Sequence, residues 1–192
     1  RECSSGRIGE IWVSHPSVGQ GYLNKQQITA ETFHARPAGL PTANEKNRVY
    51  LRTGDLGFLH DGQLYITGRR KELIILAGRN FYPQDLELTI QSAADAFKLD
   101  GGAALAVEHE SQEQLVYFQE VHRPKKQDLA QLLNTAVQVL TEEIGQPPLR
   151  VVLLPVGELP KTSSGKTRRA ECWEQLQQGT LTVLASWPKE DS

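Results

Sequence analysis

The chain has 192 residues, 39% hydrophobic and 23% charged, with a formal net charge of −2; this is enough apolar material for one domain or two small ones and no field to draw nucleic acid or an anionic membrane. No apolar run approaches the roughly 18 residues a membrane span needs, ELIILAG and RVVLLPV being far too short. Cys3 and Cys172 lack the spacing of a disulfide framework or zinc site, and His15, His34, His60, His109 and His122 are scattered without ligand spacing, so no metal site is assigned.

IGEIWVSH (Ile8 to His15) alternates apolar and polar residues and predicts a strand. ITAETFHA (Ile28 to Ala35) predicts a short helix with Thr29 as its cap and Glu31 in its first turn. Arg36 to Asn47, with Pro37, Gly39 and Pro41, reads as a loop. RVYLRTGDLGFL (Arg48 to Leu59), a turn at Asp61-Gly62 and QLYITGR (Gln63 to Arg69) form a hairpin pattern. This first third is β-rich but too short to enclose a core, as expected for the trailing edge of a larger domain. Beyond it, ELIIL (Glu72 to Leu76) predicts a buried strand and AGRNFYP (Ala77 to Pro83) a tight turn. Pro83 suits the first turn of a helix running to about Ala94, with Leu86, Ile90, Ala93 and Ala94 on one face. ALAVEH (Ala104 to His109) and QLVYFQEV (Gln114 to Val121) predict paired strands. Leu129, Leu132, Leu133, Ala136, Val137, Leu140 and Ile144 recur at helical spacing until Gly145, Pro147 and Pro148 end the pattern. RVVLLP (Arg150 to Pro155) predicts another strand, and a last helix is expected from about Thr167 to Gln178. Residues 70 to 179 thus form an α+β unit of βαββαβα order.

Between that strand and that helix lies LPKTSSGKTRRAE, Leu159 to Glu171. A Walker-type loop would place a glycine five residues before Gly165, where this chain has Pro160, which removes both the curl and a needed N–H. Two readings stay open: a solvated loop whose Thr162, Ser163 or Ser164 starts the helix, or a flexible stem that carries Lys166 to a site built elsewhere in the protein.

LRTGDLGF, TGRRKELI, AGRNFYPQDLE and LPKTSSGKTRR, in that order, resemble the late motifs of the adenylate-forming superfamily. GRIGEIWVSHPSVGQGYLN and ITAETF are similar to the segment preceding them, so the resemblance spans nearly the whole chain. It is nearest to the fatty acyl-AMP ligases, whose turn reads much like GRNFYPQDLE. The resemblance implies an α+β architecture: residues 1–69 as the β-rich end of a large adenylation domain, 70–71 as a hinge, and 72–192 as a small mobile lid domain with a mixed or antiparallel sheet flanked by helices. The lack of methionine and the opening at Arg1 lead us to expect a fragment. With no targeting signal and few cysteines, a cytoplasmic location is expected.

Such enzymes join a carboxylate to the α-phosphate of ATP, then pass the acyl group to a thiol. By resemblance, Lys166 supplies the positive charge that brings the two anions together. Asp55 holds the ribose hydroxyls, though a turn-capping aspartate is the plainer local reading. Arg69 contacts the ribose or phosphate region, unless it is a strand-end surface charge. Lys71 occupies the hinge position, or is an ordinary exposed lysine. Gly78, Arg79 and Asn80 form a turn past which a pantetheine arm runs, or a simple β-turn. HRPKK (His122 to Lys126) is a basic cluster that could meet an acidic carrier protein or the extra phosphate of coenzyme A, or is merely solvated. Mg²⁺ is expected to arrive with ATP, held mainly by phosphates and by residues outside this chain. The expected function is activation of a fatty acid and its transfer to an acyl carrier protein, in company with an upstream adenylation domain. An acyl-CoA synthetase and a non-catalytic carrier-binding module are the alternatives. The chain alone is expected to be inactive.

Overall fold

A computed structural model describes residues 3–38 and 48–188; the loop expected over Arg36 to Asn47 lies, from residue 39 onward, outside the described residues. The chain forms two compact units, Arg1–Glu72 and Leu73–Ser192.

In the first unit, strands β1 (Gly9–Val13), β2 (Leu51–His60) and β3 (Gln63–Arg69) make an antiparallel sheet in that order, with helix α1 (Gln26–Phe33) between β1 and β2. Asp61 and Gly62, at φ 49° and 75°, give the two-residue turn whose twist matches a tight hairpin. The α1 helix begins earlier than its sequence suggests. Thr29 is therefore not its cap; it lies within the helix, and its Oγ1 accepts the Tyr22 N–H at 2.9 Å. Among the described residues every buried apolar side chain lies at or beyond Ile74, whereas Leu59, Leu64 and Ile66 of this sheet are exposed. Among its described residues the first unit buries no apolar side chain.

The second unit is a three-layer α+β fold. A short hairpin, β4 (Ile74–Leu76) and β5 (Arg79–Phe81), precedes helix α2 (Pro83–Gln91). The predicted turn over 77–83 is thus narrower than expected: only Ala77 and Gly78, at φ 48° and 76°, make the bend, and Arg79–Phe81 return as strand. Pro83 opens α2 as expected, but the helix stops at Gln91, so Ala93 is exposed rather than on a buried face. A four-stranded sheet follows in the order β6 (Phe97–His109), β7 (Gln112–Val121), β8 (Arg150–Pro155) and β9 (Ala185–Trp187), parallel only between β7 and β8. Helix α3 (Leu129–Ile144) makes the crossover, capped by the Asp128 side chain, which accepts Gln131 N–H at 3.0 Å, and ended by Gly145 at φ 82°. Helix α4 (Arg169–Gln177) precedes β9.

Period-2 alternation divides the sheet's side chains between two cores. Leu115, Tyr117, Val121, Val151 and Leu153 pack with Ile90 of α2 and Leu133, Ala136 and Leu140 of α3. Val116, Phe118, Val152 and Leu154 face the other way, against Leu159 and Cys172 of α4. One irregularity breaks the ladder. Phe97 pairs with Val121 and Gly102 with Gln119, so residues 98–101 of β6 bow out opposite Glu120 alone. Among the described residues no helix is long and apolar enough to cross a membrane.

Candidate functional site

In the first unit the hairpin register assembles one polar pair. From the Asp61-Gly62 turn the strands pair in step as far as Gly57 with Ile66, then Leu56 meets Gly68, leaving Thr67 as an extra residue in β3. That bulge places Asp55 opposite Arg69, and Arg69 Nε donates to Asp55 Oδ1 at 3.0 Å. Gly57 makes the irregularity possible, because a Cβ there would meet the Tyr65 carbonyl oxygen at 2.4 Å. Gly54 takes φ 77°, and a Cβ on it would meet nothing within 4 Å, so backbone beside Asp55 is open to a ligand's close approach. Thr53 braces this strand: its hydroxyl donates to the Ile11 carbonyl at 2.8 Å and accepts Asp55 N–H at 3.0 Å.

Lys71 is exposed in a single 3₁₀ turn, Arg70–Glu72, directly before the unit boundary. Its neighbour Arg70 reaches Glu10 Oε2 at 3.5 Å, an oxygen that Arg52 Nη2 also contacts at 2.8 Å. Burial pushes the Glu10 carboxyl up, but hydrogen bonds from Arg52 and Trp12 and the charges of Arg52 and Arg70 outweigh it, holding the group below its usual range.

In the second unit the lysine loop is more ordered than its Ser/Gly composition suggests. Thr162 N–H donates to the Lys166 carbonyl at 2.8 Å and Gly165 N–H to the Thr162 carbonyl at 2.9 Å, with Gly165 at φ 82°. Thr162 Oγ1 accepts Lys166 N–H at 3.0 Å, and Lys161 pairs with Thr167 across the base. Thr162 therefore closes the loop on itself rather than capping α4, whose preceding residue, Arg168, makes no side-chain cap. Lys166 is exposed, and among the described residues no ion pair or hydrogen bond engages its ammonium. The loop thus presents a cation without neutralising it.

Two carboxylates that the sequence reading passed over fix this region. Glu87 of α2 takes Arg169 in a bidentate pair, Nε at 2.7 Å and Nη2 at 2.9 Å, and also accepts Ala104 N–H at 2.9 Å, tying the start of α4 to the sheet. Glu120 of β7, fully buried, accepts Lys98 Nζ at 2.6 Å and the N–H groups of Gly157 and Leu159 at 2.7 and 3.1 Å. Burial raises its carboxyl, but Lys98 and the two backbone donors prevail and hold it below the usual range. The alternation of Val116, Phe118 and Glu120 on one face was a usable signal for a buried acid.

Gly78 forms the β4–β5 bend, while Arg79 and Asn80 lie on β5, exposed; the Arg79 guanidinium covers its own strand's Phe81 ring at 4.8 Å. A Cβ at Gly145 would lie 3.9 Å from Arg79 Nη1, so Arg79 stands beside the end of α3 that leads into β8. The lysine loop leaves the opposite end of that strand, after Pro155. Within this unit, then, the two candidate elements are not brought together; they mark opposite ends of one strand. His122 and Arg123 are exposed ahead of a 3₁₀ turn, Pro124–Lys126, with Arg123 at φ 48°. Among the described residues no group of three His, Cys, Asp or Glu could hold a metal.

No protein-family model matches the chain. It is 43% identical over 183 residues to the medium-chain-fatty-acid–[acyl-carrier-protein] ligase JamA of Moorena producens (strain JHB), covering 94% of this chain and 30% of that protein. It is 40% identical over 182 residues to the long-chain-fatty-acid–AMP ligase FadD26 of Mycobacterium marinum, covering 91% and 30%. A putative fatty-acid–CoA ligase, fadD21 of Mycobacterium leprae, is 37% identical over 191 residues, covering 95% and 32%. Among solved structures, one from a study of fatty acyl-adenylate ligases of E. coli and L. pneumophila superposes with a TM-score of 0.70 at 32% identity, over 92% of this chain and 29% of that one. McyG A-PCP complexed with phenylalanyl-adenylate superposes with a TM-score of 0.72 at 28% identity, over 93% and 30%. The chain spans 30 to 32% of the length of these curated relatives.

Proposed function

From the premise that this chain belongs to the adenylate-forming superfamily, as a C-terminal portion related to the fatty acyl-AMP ligases, we propose that the whole protein activates a fatty acid with ATP and loads it onto the phosphopantetheine thiol of an acyl carrier protein. In the first step a carboxylate oxygen of the fatty acid attacks the α-phosphorus and the bond to pyrophosphate breaks. In the second, the thiolate attacks the acyl carbon and AMP leaves. The observation that carries this reading is the exposed Lys166 ammonium, without a partner among the described residues, on an internally bonded loop. Two anions meeting in the first step require a cation, and a cation already paired within the fold would have little to give.

Each remaining residue has a matching task. Asp55 Oδ1 holds Arg69, and the same carboxylate can accept two neighbouring ribose hydroxyls beside the open backbone of Gly54. Arg69, largely exposed, is left to face the ribose or phosphate region. Lys71, in the last turn before the unit boundary, is the pivot. Gly78, Arg79 and Asn80 line the path of the pantetheine arm. Placement of Lys166 and Arg79 toward opposite ends of β8 supports a swing that serves the two steps in turn. Mg²⁺ would come bound to ATP, held mainly by the phosphates and by residues outside this chain, and would offset part of the phosphates' charge. A reaction that uses ATP and a free thiol belongs in the reducing cytoplasm.

The acceptor decides between this reading and the nearest other one, free coenzyme A, which the putative fatty-acid–CoA ligase relative favours. The test is to offer the full-length enzyme, with ATP and fatty acid, both a holo acyl carrier protein and coenzyme A. Acyl-carrier product is expected; efficient acyl-CoA formation instead would overturn the carrier-protein assignment. Absence of ATP–pyrophosphate exchange would overturn the enzymatic reading itself and leave a carrier-binding module.

A further inference from the structure

Glu120 occupies an expensive place for a carboxylate: the end of an interior strand, fully buried, on the same face as Val116 and Phe118. Replacing a buried ion pair by apolar side chains is often neutral or stabilising, so stability alone is a poor reason for an acid there. Its contacts suggest another. Oε2 takes the Lys98 ammonium at 2.6 Å, and Oε1 takes the N–H groups of Gly157 and Leu159 at 2.7 and 3.1 Å. Those two donors belong to the turn by which the chain leaves β8, where Gly157 is at φ 94°. The same bowed segment of β6 that supplies Lys98 also supplies the Asp100 carbonyl, to which the Lys161 ammonium donates at 3.0 Å. Arg168 N–H closes the far side onto the Pro160 carbonyl at 2.9 Å. The segment carrying Lys166 is therefore rooted through residues 157–161 at a buried anion and at the bulge, and its far side closes back onto that root at Pro160.

We propose that Glu120 is a positioning residue for adenylate formation, its carboxylate fixing the root of the loop that presents Lys166. This rests on the functional reading above, which assigns Lys166 to the first step and the Gly78–Asn80 segment to the second. Glu120 touches no reactant. Its removal displaces the loop while leaving the β4–β5 hairpin, near the other end of β8, in place. A displacement of about 1 Å at a reacting group can cost on the order of 10²-fold in rate.

The experiment compares full-length wild type, Glu120→Gln and Lys166→Ala in two separate assays: ATP–pyrophosphate exchange, and thiol transfer from supplied acyl-adenylate. For Glu120→Gln, kcat of exchange should fall about 10–10²-fold, with KM for ATP and fatty acid and the rate of thiol transfer each within about twofold of wild type. Unchanged exchange, or a parallel loss in both assays, overturns the proposal, the latter marking a merely structural role. Should Glu120→Gln not fold, Glu120→Asp keeps the charge beside Lys98 while shortening its reach, and the same split between the two assays is required of it. Wild-type exchange by Lys166→Ala would overturn the functional reading and this proposal together. Loss in Lys166→Ala with full exchange in Glu120→Gln would overturn this proposal alone.

Discussion

Lys166→Ala isolates the charge from the fold. The side chain is exposed and, among the described residues, bonds to nothing, while its loop is held by backbone groups and by Thr162 Oγ1. Its truncation should therefore shift stability by no more than about 0.5 kcal/mol. The chemical cost is of another order. A cation about 4 Å from an anion is worth roughly 1 kcal/mol in water and about 4 kcal/mol at an effective dielectric near 20. In a closed site, loss of that interaction lowers the rate of acyl-adenylate formation by about 10²–10³-fold. Lys166→Arg retains the charge but spreads it over a planar fork, so it should recover only part of the loss. Pyrophosphate release at saturating ATP and fatty acid, measured alongside thermal unfolding, provides both numbers. Pyrophosphate release at the wild-type rate by Lys166→Ala would refute the reasoning, and so would a loss accompanied by a large fall in Tm.

Three further outcomes follow from the packing. Glu87→Gln breaks the bidentate pair with Arg169, whose side chains are only 12% and 17% exposed, and should cost about 2–4 kcal/mol, read as a lowered unfolding midpoint; a cost below about 0.5 kcal/mol would show the pair to be idle. Gly57→Ala would place a methyl 2.4 Å from the Tyr65 carbonyl oxygen and should destabilise by about 1–3 kcal/mol, with KM for ATP rising as the Asp55–Arg69 register is lost; an unchanged KM would count against nucleotide binding by that pair. Burial raises the Cys172 thiol to about 12, so at pH 8 iodoacetamide should modify the exposed Cys3 and leave Cys172 intact until the protein is denatured. Peptide mass spectrometry reads both positions, and prompt modification of native Cys172 would contradict its burial.

The parts legible in the sequence are those where local chemistry and tertiary packing agree. Helix α3 runs over its apolar repeat from Leu129 to Ile144 because the same stripe meets the sheet, and Asp61-Gly62 forms its turn because both residues accept positive φ. The reading lost ground where long-range pairing overrides composition. The run Lys98–Gly101, in which Leu99 is exposed between Lys98 and Asp100, hides the first part of β6, since those residues bow out of the ladder. Strand β9 is three residues long and exists only through its pairing with β8. Of the candidate site, Lys166 and Asp55 were visible as residue types in motifs, but the pairing of Asp55 with Arg69 depends on a one-residue register shift at Gly57 that no propensity announces. Glu87 resembles an ordinary surface acid until its partners, far away in sequence, are known, whereas Glu120 carries one local signal, its place on the apolar face of β7.

Strand β8 acts as a ruler between the two ends of its unit. Its six residues, at about 3.3 Å each, span about 20 Å, and the graduation is coarse. Inserting a single residue would lengthen the span by one step and also turn Val151 and Val152 to opposite layers, disrupting both cores at once. The length of β8 is thus quantised by the pleat, and finer adjustment between the two ends of this unit is left to the loops that flank the strand.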